Sequence, residues 1–341
     1  NLNSTIDISR ENPLTIEAVN GEEALTFRAT DNEPAFRIET ENQEGDVILR
    51  NFTIENVSEG IDIVSSGDGD GDGFVVIDGL SIEGVFTEGF DRFDYGIRAQ
   101  DGRANVIIVN NSITAPAASN ALTSEGIYVF ANCGFIGFNY VAGNFSPGIL
   151  LNVDNVTSTA CDFAPAVDNN TLHLNVQGIQ DAIWMSGSNL SGRNNLIYKG
   201  EYDTGFALRN MLLSTNESPL ENNYIGLDEG FCAGPCQLRN VCENYDGCLN
   251  SFTNTCCNNF CDEEEAGSGC ISAYPSLDNM NEWGCVLDSN NFEWIDKGST
   301  LTYPEQIQNI IPEIRGASRD IGAREKGVSF TLGGQSRVCN E

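Results

Sequence analysis

The sequence predicts an all-β solenoid of stacked coils, and three observations carry that expectation. A phrase made of a small residue followed by alternating apolar positions recurs along the chain, and a second phrase, led by asparagine in all but one copy, follows each of them. Successive asparagine phrases lie about 25 to 32 residues apart. That spacing is a solenoid period, in which each coil buries its apolar side only against its neighbours.

The chain enters strand-like sequence at once, at Thr5-Ile6-Asp7-Ile8 and Leu14-Thr15-Ile16. The first phrase then appears as Gly60-Ile61-Asp62-Ile63, Gly96-Ile97-Arg98-Ala99, Gly126-Ile127-Tyr128-Val129, Gly148-Ile149-Leu150-Leu151, Ala182-Ile183-Trp184-Met185 and Gly205-Phe206-Ala207-Leu208. Period-two apolar patterning of this kind specifies short strands. The second phrase runs Asn51-Phe52-Thr53-Ile54, Asp78-Gly79-Leu80-Ser81-Ile82, Asn110-Asn111-Ser112-Ile113, Asn139-Tyr140-Val141, Asn169-Asn170-Thr171-Leu172, Asn194-Asn195-Leu196-Ile197 and Asn222-Asn223-Tyr224-Ile225. Asparagine tolerates a left-handed backbone at a bend, and its amide can bond the asparagine of the next coil.

Over roughly residues 10 to 226 these alternating phrases resemble the secreted right-handed parallel β-helix proteins, whose asparagine ladders occur at this kind of turn. Near the C-terminus, Ile295-Asp296-Lys297-Gly298, Arg315-Gly316 and Asp320-Ile321-Gly322-Ala323-Arg324-Glu325 look like the closing segment of many secreted bacterial and archaeal β-helix proteins. The resemblance implies an all-β, right-handed parallel β-helix, and the break in the repeat with its cysteine cluster adds a disulfide-rich C-terminal insertion. Its parts are coils over 1–226, a cysteine-rich insertion or cap over 227–289, and a closing segment over 290–341. An ending shared by proteins of many activities speaks for architecture and not for chemistry.

Composition narrows the function classes. Among 341 residues, 50 acids face 17 basic residues, a net charge of -33, which repels nucleic acid and anionic membranes. No run approaches the roughly 20 apolar residues of a membrane helix. Nine of the 12 cysteines fall between Cys232 and Cys285, at spacings that lack the paired C-x2-C of structural zinc sites. Disulfides in an oxidising, extracellular compartment are the expectation, with a signal peptide already removed. Cys133 and Cys161 lie 28 residues apart, about one coil, so they are expected to pair across adjacent rungs.

Candidate sites follow from the coil pattern. If the isoleucines point inward, the next residue points outward on every coil, giving a column of Asp62, Arg98, Tyr128, Leu150, Trp184 and Ala207. Two residues on, a second column reads Val64, Gln100, Phe130, Asn152, Ser186 and Arg209. Exposed Tyr128, Phe130, Leu150 and Trp184 would form an apolar strip, the mark of a sugar-stacking groove, a partner interface or an overlying loop. Asp68, Asp70 and Asp72 on a glycine-rich loop, with Asp78 beyond, place alternate carboxylates where one calcium ion could gather them. Of nine Asn-x-Ser/Thr sequons, those at Asn51, Asn110 and Asn169 read as interior ladder residues. Those at Asn3, Asn56, Asn144, Asn155, Asn189 and Asn216 read as possible glycan carriers.

Catalytic machinery is sparse. Lys199 is the sole lysine of the coils, off the outward column, so no lysine-arginine lyase constellation forms. Glu125 and Asp181 hold equivalent places two coils apart, about 9.6 Å at a rung spacing of ~4.8 Å, a separation near the upper end for a hydrolase pair. His173, the only histidine, alternates outward with no nucleophile beside it in sequence. The expected function is a non-catalytic extracellular structural or adhesive protein, self-associating through solenoid ends or contacting a polysaccharide. The alternative is a secreted polysaccharide hydrolase or lyase acting on the outward face.

Overall fold

In the computed structural model the described residues are 5–9, 12–18, 25–28, 33–40, 45–64, 73–84, 94–100, 104–115, 125–153, 163–174, 182–187 and 190–197, followed by the backbone of 198–199, 208–212, 220–221, 224–227, 238–242 and 260–261, and then 303, 305–311 and 328–339. They form a parallel β-solenoid with three strands in each repeating coil. A representative coil runs Tyr95–Ala99, Asn105–Val109 and Ser112–Thr114 before the chain returns at Glu125–Ala131. Like strands stack in parallel into three sheets of nine, eight and nine strands. Among the described residues no helix is long and apolar enough to cross a membrane.

The first phrase of the sequence builds the first sheet. Ile61, Ile97, Ile127, Ile149 and Ile183 stand in register down its inner face, and all are fully buried. The small residue before each isoleucine has a steric cause. A Cβ on Gly60 would lie 2.1 Å from the carbonyl oxygen of Gly96, and one on Gly126 2.4 Å from that of Gly148. The last member of the series differs from expectation, because Ile183 pairs with Leu208 rather than with Phe206. A shift of two residues keeps the inward parity, so the apolar pattern cannot distinguish the two registers. The correction takes Ala207 out of the outward column and places Arg209 beside Trp184, with Arg239 beyond it. Leu238–Cys242 and Phe260–Cys261 continue the first and third sheets past residue 226.

The asparagine phrase divides its two residues between two jobs. Asn51, Asn110, Asn169 and Asn194, with Gly79 and Phe138, occupy the left-handed backbone at the bend between the second and third sheets. The residue that follows points inward. Asn111, Asn139, Asn170 and Asn195 form a continuous buried ladder in which each Nδ2 donates to the next Oδ1, at 2.9 to 3.1 Å. In the first coils the same inward place holds Phe52 and Leu80. Phe52 packs there against Phe27 and Phe36 with ring centroids 4.9 and 5.3 Å away. Asn51, Asn110 and Asn169 are therefore bend residues and not the interior ladder, although they too are buried.

The second sheet, which the two phrases do not announce, is apolar on both sides. Ile48, Val76, Ile107, Phe135 and Ala166 share one register column, on the face away from the solenoid core. They gather with Phe138 and with Tyr303, Ile307, Ile310 and Ile311 of the C-terminal segment in a second apolar cluster. The short helix Glu305–Gln308 supplies Ile307, which is fully buried, and Tyr303 meets the Phe135 ring edge-on at 5.3 Å. Farther on, the hairpin of Ser329–Leu332 and Gln335–Val338 touches the solenoid at its tip, where Gly333 N donates to the Gly79 carbonyl at 2.9 Å. The C-terminal segment thus straps the second sheet from outside and excludes water from apolar side chains that would otherwise face it.

Candidate functional site

The outward face of the first sheet brings together most of the residues singled out from the sequence. Asp62, Arg98, Tyr128, Leu150 and Trp184 stand side by side in one column. Asp7 and Arg37 precede them. Phe130, Asn152 and Ser186 form the adjoining column. The strip is less open than expected, since Leu150 is only 8 % exposed and Tyr128, Phe130 and Trp184 are half-buried. Side chains on adjacent rungs of a strand face shield part of one another's apolar area from water, which lowers the exposure of the strip.

At one end of the strip lies a polar network that includes two residues the sequence reading missed. Arg98 Nε donates to Asp62 Oδ1 at 3.1 Å, and the guanidinium carbon sits 3.9 Å from the centroid of the Tyr95 ring. Tyr95 Oη accepts from Arg98 Nη2 at 3.1 Å and donates to Glu59 Oε2 at 2.7 Å. With its amide turned so that oxygen faces Arg98, Gln100 accepts from Nε and Nη1 at 2.8 and 3.0 Å. Strand alternation gives Glu59 and Tyr95 the parity of the inward Ile61 and Ile97, so no periodic signal marks them as neighbours of Arg98.

Burial and pairing set the protonation states here. Burial raises the Tyr95 phenol far above its ordinary value, and the bond to Glu59 adds to the shift. Tyr95 is therefore a fixed hydrogen-bond donor and not a base. Burial also raises the Glu59 carboxyl, against the opposing pull of Tyr95 and Arg98. Arg98 is lowered by burial, but Asp62, Tyr95 and Glu59 more than compensate and keep it charged. Burial, with the nearby Glu125, raises the Tyr128 phenol as well.

A group whose folded pKa is raised contributes stability that is complete below its unfolded value and is lost as pH rises through the folded value. Glu59→Gln keeps an acceptor for Tyr95 and removes the charge. The melting temperature of the variant should therefore gain on that of the parent between about pH 4 and about pH 7. Thermal melts at the two pH values check this, and a difference that stays constant or reverses contradicts it.

Apart from this face, a cleft of about 430 Å³ lies between the bend of the early coils and the C-terminal strap, with Arg50, Asp78 and Asn110 on one side and Ile310, Ser329 and Phe330 on the other. Asp78 ends the strand Phe74–Asp78, where its carboxylate accepts from Arg50 Nε at 2.8 Å and from Asn110 Nδ2 at 2.8 Å. Asp68, Asp70 and Asp72 lie outside the described residues, so this geometry places one of the four calcium candidates. Among the described residues no group of three or more metal-ligating side chains gathers.

Of the hydrolase pair, Glu125 opens the strand Glu125–Ala131 next to Tyr95, and Asp181 lies outside the described residues. Cys133 is buried and disulfide-bonded, as is Cys339, and Cys161 lies outside the described residues. His173 is half-buried on the third sheet between the buried Leu172 and Leu174, in register with Ala142.

Comparison with protein families, with characterised proteins and with solved structures finds no match for this chain.

Proposed function

We propose that the protein is a non-catalytic extracellular structural or adhesive scaffold, a right-handed β-helix with a disulfide-rich insertion, whose first-sheet outward face contacts a polysaccharide. The observation that carries this reading is the placement of half-buried Tyr128, Phe130 and Trp184 beside Asn152 and Ser186 in two adjoining columns over three successive rungs of one sheet face. Rungs repeat every ~4.8 Å, close to the length of a sugar residue along an extended chain. Aromatic rings offer an apolar face to a sugar ring, and the neighbouring Asn152 amide and Ser186 hydroxyl offer hydrogen-bonding groups beside it.

Two of the acids beside the strip are already committed. Asp62 is tied to Arg98 and Glu59 to Tyr95, which favours recognition over proton transfer. Disulfide bonding of Cys133 and Cys339 supports an oxidising, extracellular location. Self-association through the solenoid ends belongs to the same reading. Ile6–Ser9 and Leu14–Glu17 are the outermost strands of their sheets among the described residues, and Ile6, Leu14 and Ile16 are only partly buried. Such an edge is stabilised by further pairing.

Trp184→Ala tests the reading. Affinity electrophoresis through gels containing soluble neutral or acidic polysaccharides should show retention of the parent and a loss of about tenfold or more in affinity for the variant, equivalent to about 1.4 kcal/mol. The melting temperature is measured alongside, because the indole is half-buried and its Nε1 fully so, and a loss of retention by a variant that is still folded at the gel temperature reads binding and not unfolding. Equal retention of both proteins, or retention of neither by any polysaccharide, sinks the proposal.

A further inference from the structure

Five of the nine Asn-x-Ser/Thr sequons fall on described residues, and the fold separates one from the other four. Asn51 and Asn110 are each 8 % exposed, Asn144 is 7 % exposed and Asn169 is fully buried. Asn51 Nδ2 donates to Glu17. Asn110 Nδ2 donates to Asp78 and to the Ile310 carbonyl, and the Asn169 side-chain oxygen accepts from Asn194. A sugar linked to nitrogen Nδ2 needs that atom at the surface with room for a ring, which these four buried side chains do not have.

Asn56 differs in its exposure and in its place on the strand. It is exposed, and it shares with Asn51, Asn110 and Asn169 a left-handed backbone, φ 57°. The pairing of Thr53–Val57 with Ser81–Gly84 shifts register between Glu55 and Val57, so Asn56 is the extra residue of a β-bulge. A bulged residue opposes no residue of the neighbouring strand and is lifted out of the ladder. Asparagine is also among the few residues that enter this backbone region without large strain.

Ser58, the third residue of the same sequon, supplies an independent observation. Its hydroxyl is buried and meets no hydrogen-bond partner among the described residues. A buried, unpaired hydroxyl carries a desolvation cost that alanine at the same place avoids. Among the described residues, then, the hydroxyl makes no hydrogen bond that would stabilise the folded coil.

We propose that Asn56 is an N-glycan acceptor, and that the Ser58 hydroxyl serves the transferase, which reads Asn56-Val57-Ser58 before this coil closes. The donor is an oligosaccharide linked to a lipid phosphate or pyrophosphate. The anomeric carbon of the sugar forms a bond to Asn56 Nδ2 as its bond to the phosphate oxygen breaks. The lipid phosphate leaves with the electron pair, and the amide nitrogen releases one proton. The glycan then stands on the outer side of the third sheet, beside the Arg28–Glu55 ion pair. It keeps that side hydrated and leaves the first-sheet face free.

The proposal uses the extracellular reading only to bring the chain to a transferase, which a secretory host supplies directly. The full chain is secreted from a glycosylating eukaryotic host, and the folded protein is deglycosylated enzymatically in heavy-oxygen water and peptide-mapped, which marks each formerly occupied asparagine by mass. Asn56 should be occupied in most molecules, while Asn51, Asn110, Asn144 and Asn169 should be unmodified. Asn56→Gln should abolish that glycan. Ser58→Ala should abolish it too, with a melting temperature, compared on deglycosylated samples, equal to or above that of the parent. An unoccupied Asn56 overturns the proposal, as does a fall of more than about 3 °C in the Ser58→Ala variant, which would show that the hydroxyl serves the fold. Failure of the first sheet to bind any polysaccharide leaves these outcomes untouched.

Discussion

Asn139→Ala is expected to destabilise the protein by on the order of 4 kcal/mol, a large share of the roughly 5–15 kcal/mol that holds a typical domain folded. Asn139 sits in the middle of the inward ladder. Its side-chain oxygen accepts from Asn111 N at 3.0 Å and from Asn111 Nδ2 at 2.9 Å. Its Nδ2 donates to Asn170 Oδ1 at 3.1 Å and to the Ile108 carbonyl at 2.9 Å. All three asparagines are fully buried, so no water can replace what the alanine removes. Each buried group left unpaired costs about 1–3 kcal/mol, and members of a connected network polarise one another. Denaturant unfolding of parent and variant measures the effect. A loss under about 1 kcal/mol would mean that the ladder fills space without bonding the coils together.

Arg193→Ala carries the second large expected effect. Asp168 ends its strand with no exposure to solvent. It accepts from Arg193 Nη2 and from the Arg193 backbone N, both at 3.0 Å. Burial raises the Asp168 carboxyl above its ordinary range, and Arg193 is the main force opposing that rise. Removing one partner of a buried pair leaves an uncompensated charge and typically costs about 3–5 kcal/mol. Without the guanidinium the folded pKa rises further, so the penalty is largest at neutral pH and shrinks as acid protonates Asp168. The double variant Arg193→Ala with Asp168→Asn should recover much of the loss at pH 7. If it recovers none, packing of the arginine stem and not charge explains the cost.

The inward isoleucine column was legible in the sequence because it repeats once per coil, and so was the recurrence of asparagine. The recurrence does not tell which residue of a pair such as Asn110-Asn111 turns inward, so the ladder expected at Asn51, Asn110 and Asn169 lies one residue on, at Asn111, Asn139, Asn170 and Asn195. Gly60, Gly96 and Gly126 were visible as small residues, and their reason, a neighbouring carbonyl within 3 Å of any added Cβ, is not. The second sheet escaped notice because a strand buried on both faces, such as Asn105–Val109, reads as a continuous apolar run without alternation. Its outer cover, Tyr303 and Ile307, is remote in sequence. The site was legible in its outward column up to Trp184. The Glu59–Tyr95–Arg98 network was not, since it joins residues of opposite strand parity through a ring contact that no period encodes.

The claim that the first-sheet face contacts a polysaccharide without transforming it is tested most directly by the length of the polymer. Soluble neutral and acidic polysaccharides that retain the protein in affinity gels are incubated with it at high concentration, and their chain-length distribution is followed by size-exclusion chromatography with light scattering. The account predicts retention of the protein with an unchanged distribution. A shortening of the polymer that disappears in Glu125→Gln would contradict it and make the outward face an active site.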